Sequence, residues 1–227
     1  AKIYRKVIFL FFLLSFAIIT MGQSGPGGGS SNSGSGNNSG QGNYNDKQLQ
    51  FSNARLENGT AGANGAVYRF PQVGNGIDAL IKISGRSDNK VKLVSIDLTN
   101  TGWQKAFQPQ IAYANRTLLG GHDWWMEFEI SFVQKDGTTP ATVSNFDVTA
   151  LDIDGDGARV RENVTFYKQK SYTLENNSLL SVLDLLESLL GLLTPGKKFT
   201  GPKTNYNNVD TGATNVMVTN RYDNANS

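Results

Sequence analysis

The chain contains no cysteine and only one histidine among its 227 residues. The missing cysteine excludes disulfides, thiolate zinc sites and cysteine nucleophiles, so an extracellular form has to be stabilised in another way, for example by a metal ion. The single histidine, His122, excludes a histidine-rich metal site. A Ser-His-Asp arrangement would depend on it, without a G-x-S-x-G motif to supply the serine. The sequence therefore predicts a protein that is not an enzyme.

The chain also lacks an excess of charge of one sign. Its 21 basic and 19 acidic residues leave a formal net charge of +2, and the basic residues are scattered. A surface of this kind gives no sign of nucleic-acid binding. The longest apolar run, from Val7 to Ile19, is short of the roughly 20 residues that a membrane-spanning helix requires. We therefore expect no transmembrane span in the mature form.

The first 43 residues have the composition of two segments that lie outside a folded domain. Residues 1–22, AKIYRKVIFLFFLLSFAIITMG, combine a basic head, an apolar run and small residues near the end, which is typical of a secretory signal peptide. Residues 23–43 consist almost entirely of Gly, Ser and Asn and predict a flexible linker. The protein is thus expected to be secreted, either extracellular or on the outer cell surface.

From residue 44 to residue 227 the sequence predicts an all-β domain. Apolar and polar residues alternate in short runs bounded by Gly, Asn, Asp and Pro, as half-buried strands require. The clearest run places Met126, Phe128, Ile130 and Phe132 on one face. We predict an antiparallel β-sandwich, jelly-roll or immunoglobulin-like. No closing strand is visible before the last residues, YDNANS, and we expect the natural domain to continue beyond them.

Residues 178–193, SLLSVLDLLESLLGLL, interrupt the β pattern. Polar or small residues recur at three- and four-residue spacing, and leucines fill nearly all the other positions. This spacing predicts a short leucine-rich helix, which either caps the sandwich or provides a surface for docking and self-association. The residues expected on that surface are Leu179, Leu183, Leu186 and Leu190.

The acidic loop after a predicted strand, Phe146 to Leu151, carries the strongest chemical signal. Asp152, Asp154 and Asp156 alternate along it and Gly157 follows, a pattern that suits calcium, a hard cation with six to eight oxygen ligands. An EF-hand is excluded because its twelfth position is Asn163 and the flanks are strands.

Glu162 and Asp78 are candidates to complete the calcium shell. Two alternatives stay open: the loop is a solvated Asp-Gly turn, and Glu162 forms a salt bridge with Arg159 or Arg161.

Three aromatic residues suggest a second kind of site. Trp103, Trp124 and Tyr113 are candidates to stack against sugar rings, as in a carbohydrate-binding module. For the Trp and Phe residues of the predicted strand from Trp125 to Val133 we favour a place in the hydrophobic core. For Trp124, next to the Gly-Gly loop, both a buried and an exposed position stay open.

Several stretches resemble exported surface domains of gliding bacteria that use the type IX secretion route, proteins described mostly as hypothetical or adhesin-like. These stretches are NGIDALIKI (75–83), DLTNTGWQKAFQPQI (97–111), EFEISFVQKDGTTPATVSNFDVTALDIDGDG (127–157), RENVTFY (161–167) and NVMVTNRYDN (215–224). The resemblance implies a β-sandwich that serves as a stalk, an adhesin or a piece of a surface layer.

Together these observations predict a secreted surface protein with a structural or adhesive role and a calcium-stabilised loop. Its expected partners are cell-surface glycans or proteins, or further copies of itself. In the first alternative it is a subunit of a self-assembling filament or layer that exchanges a strand or helix. In the second it is a carbohydrate-binding module.

Overall fold

The computed structural model describes residues 7–11, 18–22, 49–99, 105–113, 124–143, 145–155, 157, 161–189, 192–204 and 215–222. This part of the chain contains fourteen strands and no helix, which confirms the all-β prediction. The strands are β1 (Val7–Phe11), β2 (Ile18–Gly22), β3 (Arg55–Asn58), β4 (Val67–Gly74), β5 (Ile77–Arg86), β6 (Val91–Ser95), β7 (Gln110–Tyr113), β8 (Met126–Gln134), β9 (Phe146–Leu151), β10 (Asn163–Tyr167), β11 (Ser171–Leu174), β12 (Ser181–Leu189), β13 (Leu192–Thr200) and β14 (Val218–Tyr222).

The strands form three antiparallel sheets. The largest has the order β12-β13-β10-β1-β8-β5-β4-β3, the second has the order β11-β14-β9-β2, and β6 pairs with β7. Strands β9 and β10 follow each other in sequence but belong to different sheets, so the acidic loop between them connects the two larger sheets.

Buried residues of both larger sheets form the hydrophobic core. On β8, Met126, Phe128, Ile130 and Phe132 are all buried, as their alternation predicts, and each large side chain contributes about 1.5–3 kcal/mol through burial. Phe132 meets Phe146 of β9 edge to face, with the ring centroids 5.8 Å apart. This contact joins the larger sheet to the four-stranded sheet within one buried cluster.

The predicted helix at 178–193 is wrong. Strands β12 and β13 form a hairpin there, with register from Ser181 opposite Thr200 to Leu189 opposite Leu192. Strand β13 also pairs with β10, where Phe199 is fully buried. Backbone pairing on both sides of β13 and this anchored aromatic ring outweigh the local three- and four-residue spacing, which by itself is only a weak preference.

The amino-terminal apolar segment contributes a strand to each of the larger sheets. Strand β1 lies between β8 and β10, and β2 is the edge strand beside β9. A signal peptide at residues 1–22 stays a prediction, and the predicted linker at 23–43 lies outside the described residues. No helix in the described ranges has the length and apolarity to span a membrane.

A half-buried carboxylate joins the segments that follow β6 and precede β7. Asp97 accepts a hydrogen bond from the backbone N–H of Gln108 at 3.3 Å, and the N–H of Leu98 donates to the Gln108 carbonyl at 3.0 Å. Burial raises the pKa of Asp97 to about 7, although the hydrogen bond from Gln108 acts in the opposite direction.

We predict that the stability of the Asp97→Asn variant, measured relative to the wild type, increases as the pH rises. The folded-state pKa of about 7 lies above the ordinary value near 4 of the unfolded chain, so unfolding releases a proton between these two pH values. The contribution of Asp97 to stability therefore falls from about pH 4 to pH 7. Urea unfolding at several pH values should show the variant gaining on the wild type across this window. A constant difference would contradict the prediction.

Candidate functional site

The acidic loop turns directly from the end of β9 towards the start of β10. Asp152 has a φ of +60°, which bends the chain immediately after the strand. The N–H of Glu162 donates to the carbonyl of Asp154 at 2.6 Å, and Gly155 and Arg161 form the adjoining antiparallel bridge. Asp154 and Glu162 therefore lie opposite each other on neighbouring segments, where side chains share one face.

The loop is held against the segment that follows β13. The N–H of Gly201 donates to the carbonyl of Glu162 at 3.0 Å, and the Arg161 side chain donates to the Gly201 carbonyl at 3.0 and 2.9 Å. Position 201 has no room for a side chain, because a Cβ atom would lie 2.0 Å from the carbonyl oxygen of Ile153. Such close packing fixes the backbone from which the acidic side chains project.

Three carboxylates of this loop region are buried. Asp152 is 8% exposed, Asp154 2% and Glu162 1%. The Oδ1 atom of Asp152 has no hydrogen-bond partner among the described residues. Burial, followed by the negative charge of Asp154, raises the pKa of Asp152 to about 7. Buried carboxylates are costly unless a proton or a cation compensates them, so the loop concentrates negative charge where the two larger sheets are connected.

The donor set of the loop suits a hard divalent cation, since all its candidate ligands are oxygens. In the described residues, no three acidic or histidine side chains converge on one point as a metal ion requires. Asp156, a predicted ligand, lies outside those residues, as does Arg159. Asp152, Asp154 and Glu162 are therefore buried near the same connection without forming, in the described residues, a group that could hold a metal ion.

Asp78, the other predicted ligand, belongs to a buried ion-pair cluster. Its carboxylate accepts hydrogen bonds from the Arg69 guanidinium at 2.8 Å and from the N–H groups of Gln72 and Asp136 at 2.8 and 3.0 Å. Arg69 in turn donates to both oxygens of Glu57, at 3.0 and 2.7 Å. Burial alone would raise the pKa of Asp78, but these hydrogen bonds outweigh it and lower the pKa below its ordinary value.

The structure does not bring Asp78 to the acidic loop. Asp78 pairs with Val133 near one end of β8, whereas Met126, at the other end, is level with Val164 through their shared β1 partner Phe11. The seven residue steps from Met126 to Val133 correspond to about 23 Å along the strand. The candidate ligand and the loop therefore lie at opposite ends of the larger sheet.

We predict that Asp78→Ala lowers the free energy of unfolding by about 3–5 kcal/mol, because it leaves a buried guanidinium without one of its two carboxylate partners. Chemical denaturation should show the same loss in calcium and in chelator, since Asp78 is remote from the acidic loop. A loss that appears only in calcium would contradict this assignment and return Asp78 to the ligand set.

The predicted sugar-stacking residues do not form an exposed platform in the described part of the chain. Trp124 is only 6% exposed and packs against Tyr113, with a distance of 5.5 Å between the ring centroids. Trp103 lies outside the described residues. Trp124 is therefore part of the hydrophobic core, and Tyr113 is partly buried against it.

The predicted docking leucines are exposed, on a strand and the turn before it. Leu183 and Leu186 of β12 are 58% and 63% exposed, and Leu179 is 42% exposed. Leu190 lies outside the described residues. Strand β12 is an edge strand of the larger sheet, so one side of its backbone has no neighbouring strand in the described residues. The exposed leucines Leu183 and Leu186 lie on this same strand.

Sequence reasoning missed two polar features. One is the Arg69 ion-pair cluster, since no local pattern identifies partners so far apart in the chain. The other is an open surface cleft of about 620 Å³, lined in part by Asn64, Arg86 and Lys92. The Arg86 guanidinium donates to Asn64 and to the backbone carbonyls of Gly62 and Val91, so the fold uses its hydrogen-bonding capacity.

Comparison of the chain with protein-family models, with curated proteins and with solved structures gives no match.

Proposed function

We propose that this chain is a secreted cell-surface protein with a structural or adhesin-like role. In this proposal it is a β-sandwich, of the jelly-roll or immunoglobulin-like kind, in which calcium stabilises the loop between β9 and β10. The observation that carries the proposal is the burial of Asp152, Asp154 and Glu162 at that connection. The signal-peptide composition of residues 1–22 and the resemblance to exported adhesin-like domains support the surface location.

Calcium accounts for the burial better than a plain turn does. A solvated Asp-Gly turn would leave its carboxylates in water, whereas those of Asp152 and Asp154 lie inside the protein close enough for one charge to raise the pKa of the other. In this proposal the ligands are Asp152 and Asp154 together with Asp156 and Glu162, and the described side chains would have to move towards one another when the ion binds. A bound calcium ion would neutralise these charges and so hold the two larger sheets together in a protein without disulfides.

We predict that calcium raises the melting temperature of the full chain by about 5–10 °C relative to chelator. Ligand at about 100 times its Kd adds roughly 2.7 kcal/mol, which corresponds to that shift in a chain of this size. Asp154→Asn should lose most of the shift, because it removes a ligand charge with little change of shape.

Asp136→Asn is the matched control. Asp136 is an exposed aspartate followed by glycine, with a φ of +56° that asparagine also adopts, and it should keep the full calcium shift. If calcium leaves the wild-type melting temperature unchanged, or if both variants respond to it equally, the calcium assignment fails.

A second candidate function, assembly into a surface filament or layer, is favoured by the exposed edge of the larger sheet. An edge strand carries a row of unpaired backbone groups that another chain is able to join. Many natural edges are protected by charge. Strand β12 does carry the exposed Asp184, but Leu183 and Leu186 beside it are 58% and 63% exposed.

We predict that the chain self-associates at high concentration and that Leu183→Ser combined with Leu186→Ser reduces this association. Sedimentation velocity over a concentration series measures both. Val94→Ser is the control, since Val94 is equally exposed, at 59%, but lies on β6 in a different sheet. A wild type that stays monomeric at every concentration would exclude this role for the β12 edge.

A further inference from the structure

The open surface cleft of about 620 Å³ lies between two connections that adjoin β5. One wall is formed by the loop of residues 59–66 between β3 and β4, and the other by the turn of residues 87–90 together with the start of β6. The volume falls within the range of about 300–1,000 Å³ that is usual for small-molecule sites. None of the described lining residues belongs to the acidic loop or to β12, so the cleft is a separate feature of the surface.

Hydrogen bonds fix the first wall of the cleft to the strands behind it. The N–H of Gly65 donates to the carbonyl of Ile83 in β5 at 2.7 Å. The N–H of Gly62 donates to the hydroxyl of Tyr68 in β4, also at 2.7 Å. A wall held in this way keeps its shape before a ligand arrives, and such preorganisation lowers the entropy cost of binding.

Arg86 joins the two walls of the cleft. Its guanidinium donates to Oδ1 of Asn64 and to the carbonyl of Gly62, both at 2.6 Å, and to the carbonyl of Val91 at 2.8 Å. All three acceptors are neutral, and no carboxylate pairs with Arg86 in the described part of the chain. The residue is half-buried, and this burial lowers the pKa of its guanidinium. The fold therefore uses the hydrogen bonds of Arg86 but leaves its positive charge uncompensated.

Lys92 brings a second positive charge to the same cleft. Its side chain is exposed, and within the described ranges it has no hydrogen bond or ion pair. Asp88 is the one carboxylate among the described lining residues, and it accepts a hydrogen bond from the N–H of Lys90 at 2.6 Å. Two cations and one carboxylate leave the cleft with one net positive charge.

The lining groups select a ligand that combines an anionic group with hydroxyls. An anionic group compensates Lys92 and Arg86, and hydrogen bonds between charged groups are about twice as strong as neutral ones. The Asp88 carboxylate and the Asn89 amide oxygen accept hydrogen bonds, which hydroxyls donate. Leu93 offers an apolar contact of the size of one side of a sugar ring. A saccharide with an acidic substituent has all three properties.

We propose that this cleft binds an acidic saccharide, with Lys92 at the carboxylate of a uronic acid unit and Asp88 at the ring hydroxyls. The inference deepens the surface role proposed above by giving it a class of ligand, and it rests on that role for the place where the ligand is met. The binding itself depends neither on calcium nor on the β12 edge.

Titration of the isotope-labelled full chain, followed through its amide NMR shifts in the presence of chelator, tests the inference. The probe is cellobiouronic acid, a disaccharide with one carboxylate. Cellobiose supplies the sugar without the charge, and acetate supplies the charge without the sugar. We expect the acidic disaccharide to bind at least about tenfold more tightly than either, with the largest shifts at residues 59–66 and 87–92.

Two lysine variants locate the interaction. Lys92→Glu and Lys90→Glu reverse one charge each at exposed positions two residues apart, but of the two only Lys92 lines the cleft. Lys92→Glu should weaken binding at least about tenfold, whereas Lys90→Glu should change it less than about twofold because water and salt screen a charge outside the site. Ala61→Trp, which fills part of the cleft without a change of charge, should abolish binding as well.

Three results would overturn the proposal. The first is the absence of shifts at about 10 mM cellobiouronic acid, well above the range of a specific weak site. The second is an equal loss in Lys92→Glu and Lys90→Glu, which would indicate general attraction between charges. The third is binding of acetate, or of the acidic peptide Gly-Glu-Gly, as tight as that of the disaccharide. Binding in chelator together with a melting temperature that calcium leaves unchanged would support the cleft while the calcium assignment fails.

Discussion

Backbone hydrogen bonding between strands that are remote in sequence holds this chain together. The larger sheet joins hairpins such as β4–β5 and β12–β13 into one layer through pairings of β1, β8 and β10 that no short turn imposes. Because the residues along these central strands are buried, their backbone groups depend on one another for partners. The aromatic core, the hairpin that replaced the predicted helix and the position of the acidic loop are all consequences of this pairing.

The acidic loop is the connection that this strand pairing requires between the two larger sheets. Strand β9 belongs to one sheet and β10 to the other, so the connection between them has to cross the edge of the core. The carboxylates of this connection are buried. A protein of this size without disulfides gains from a charged crosslink at such a connection only when a counter-charge is present. The loop is therefore a connection whose backbone is fixed by hydrogen bonds with Gly201 and whose charge depends on pH, because burial raises the pKa of Asp152 to about 7.

Local sequence patterns predicted the strands whose buried face follows from the alternation of their own residues. The alternation from Met126 to Phe132 and the bounds of β9 agree with the structure because side-chain period alone sets which face is buried. Residues whose partners come from far away were not predictable in this way. The leucine-rich segment suggested a helix because its strand partner β13 is itself paired with β10, which lies outside any local window. Asp78 was predicted as a calcium ligand because Arg69 was not recognisable as its partner.

The placement of β1 also has a consequence for the order of folding. Phe9 is synthesised early, but its neighbours Phe128 and Phe166 appear only when most of the chain exists. The larger sheet therefore cannot close around β1 until β10 has been synthesised. Long-range antiparallel pairing of this kind is slow. Hairpins such as β4–β5 need no later part of the chain, so the two halves of the larger sheet form first and are joined through β1 last.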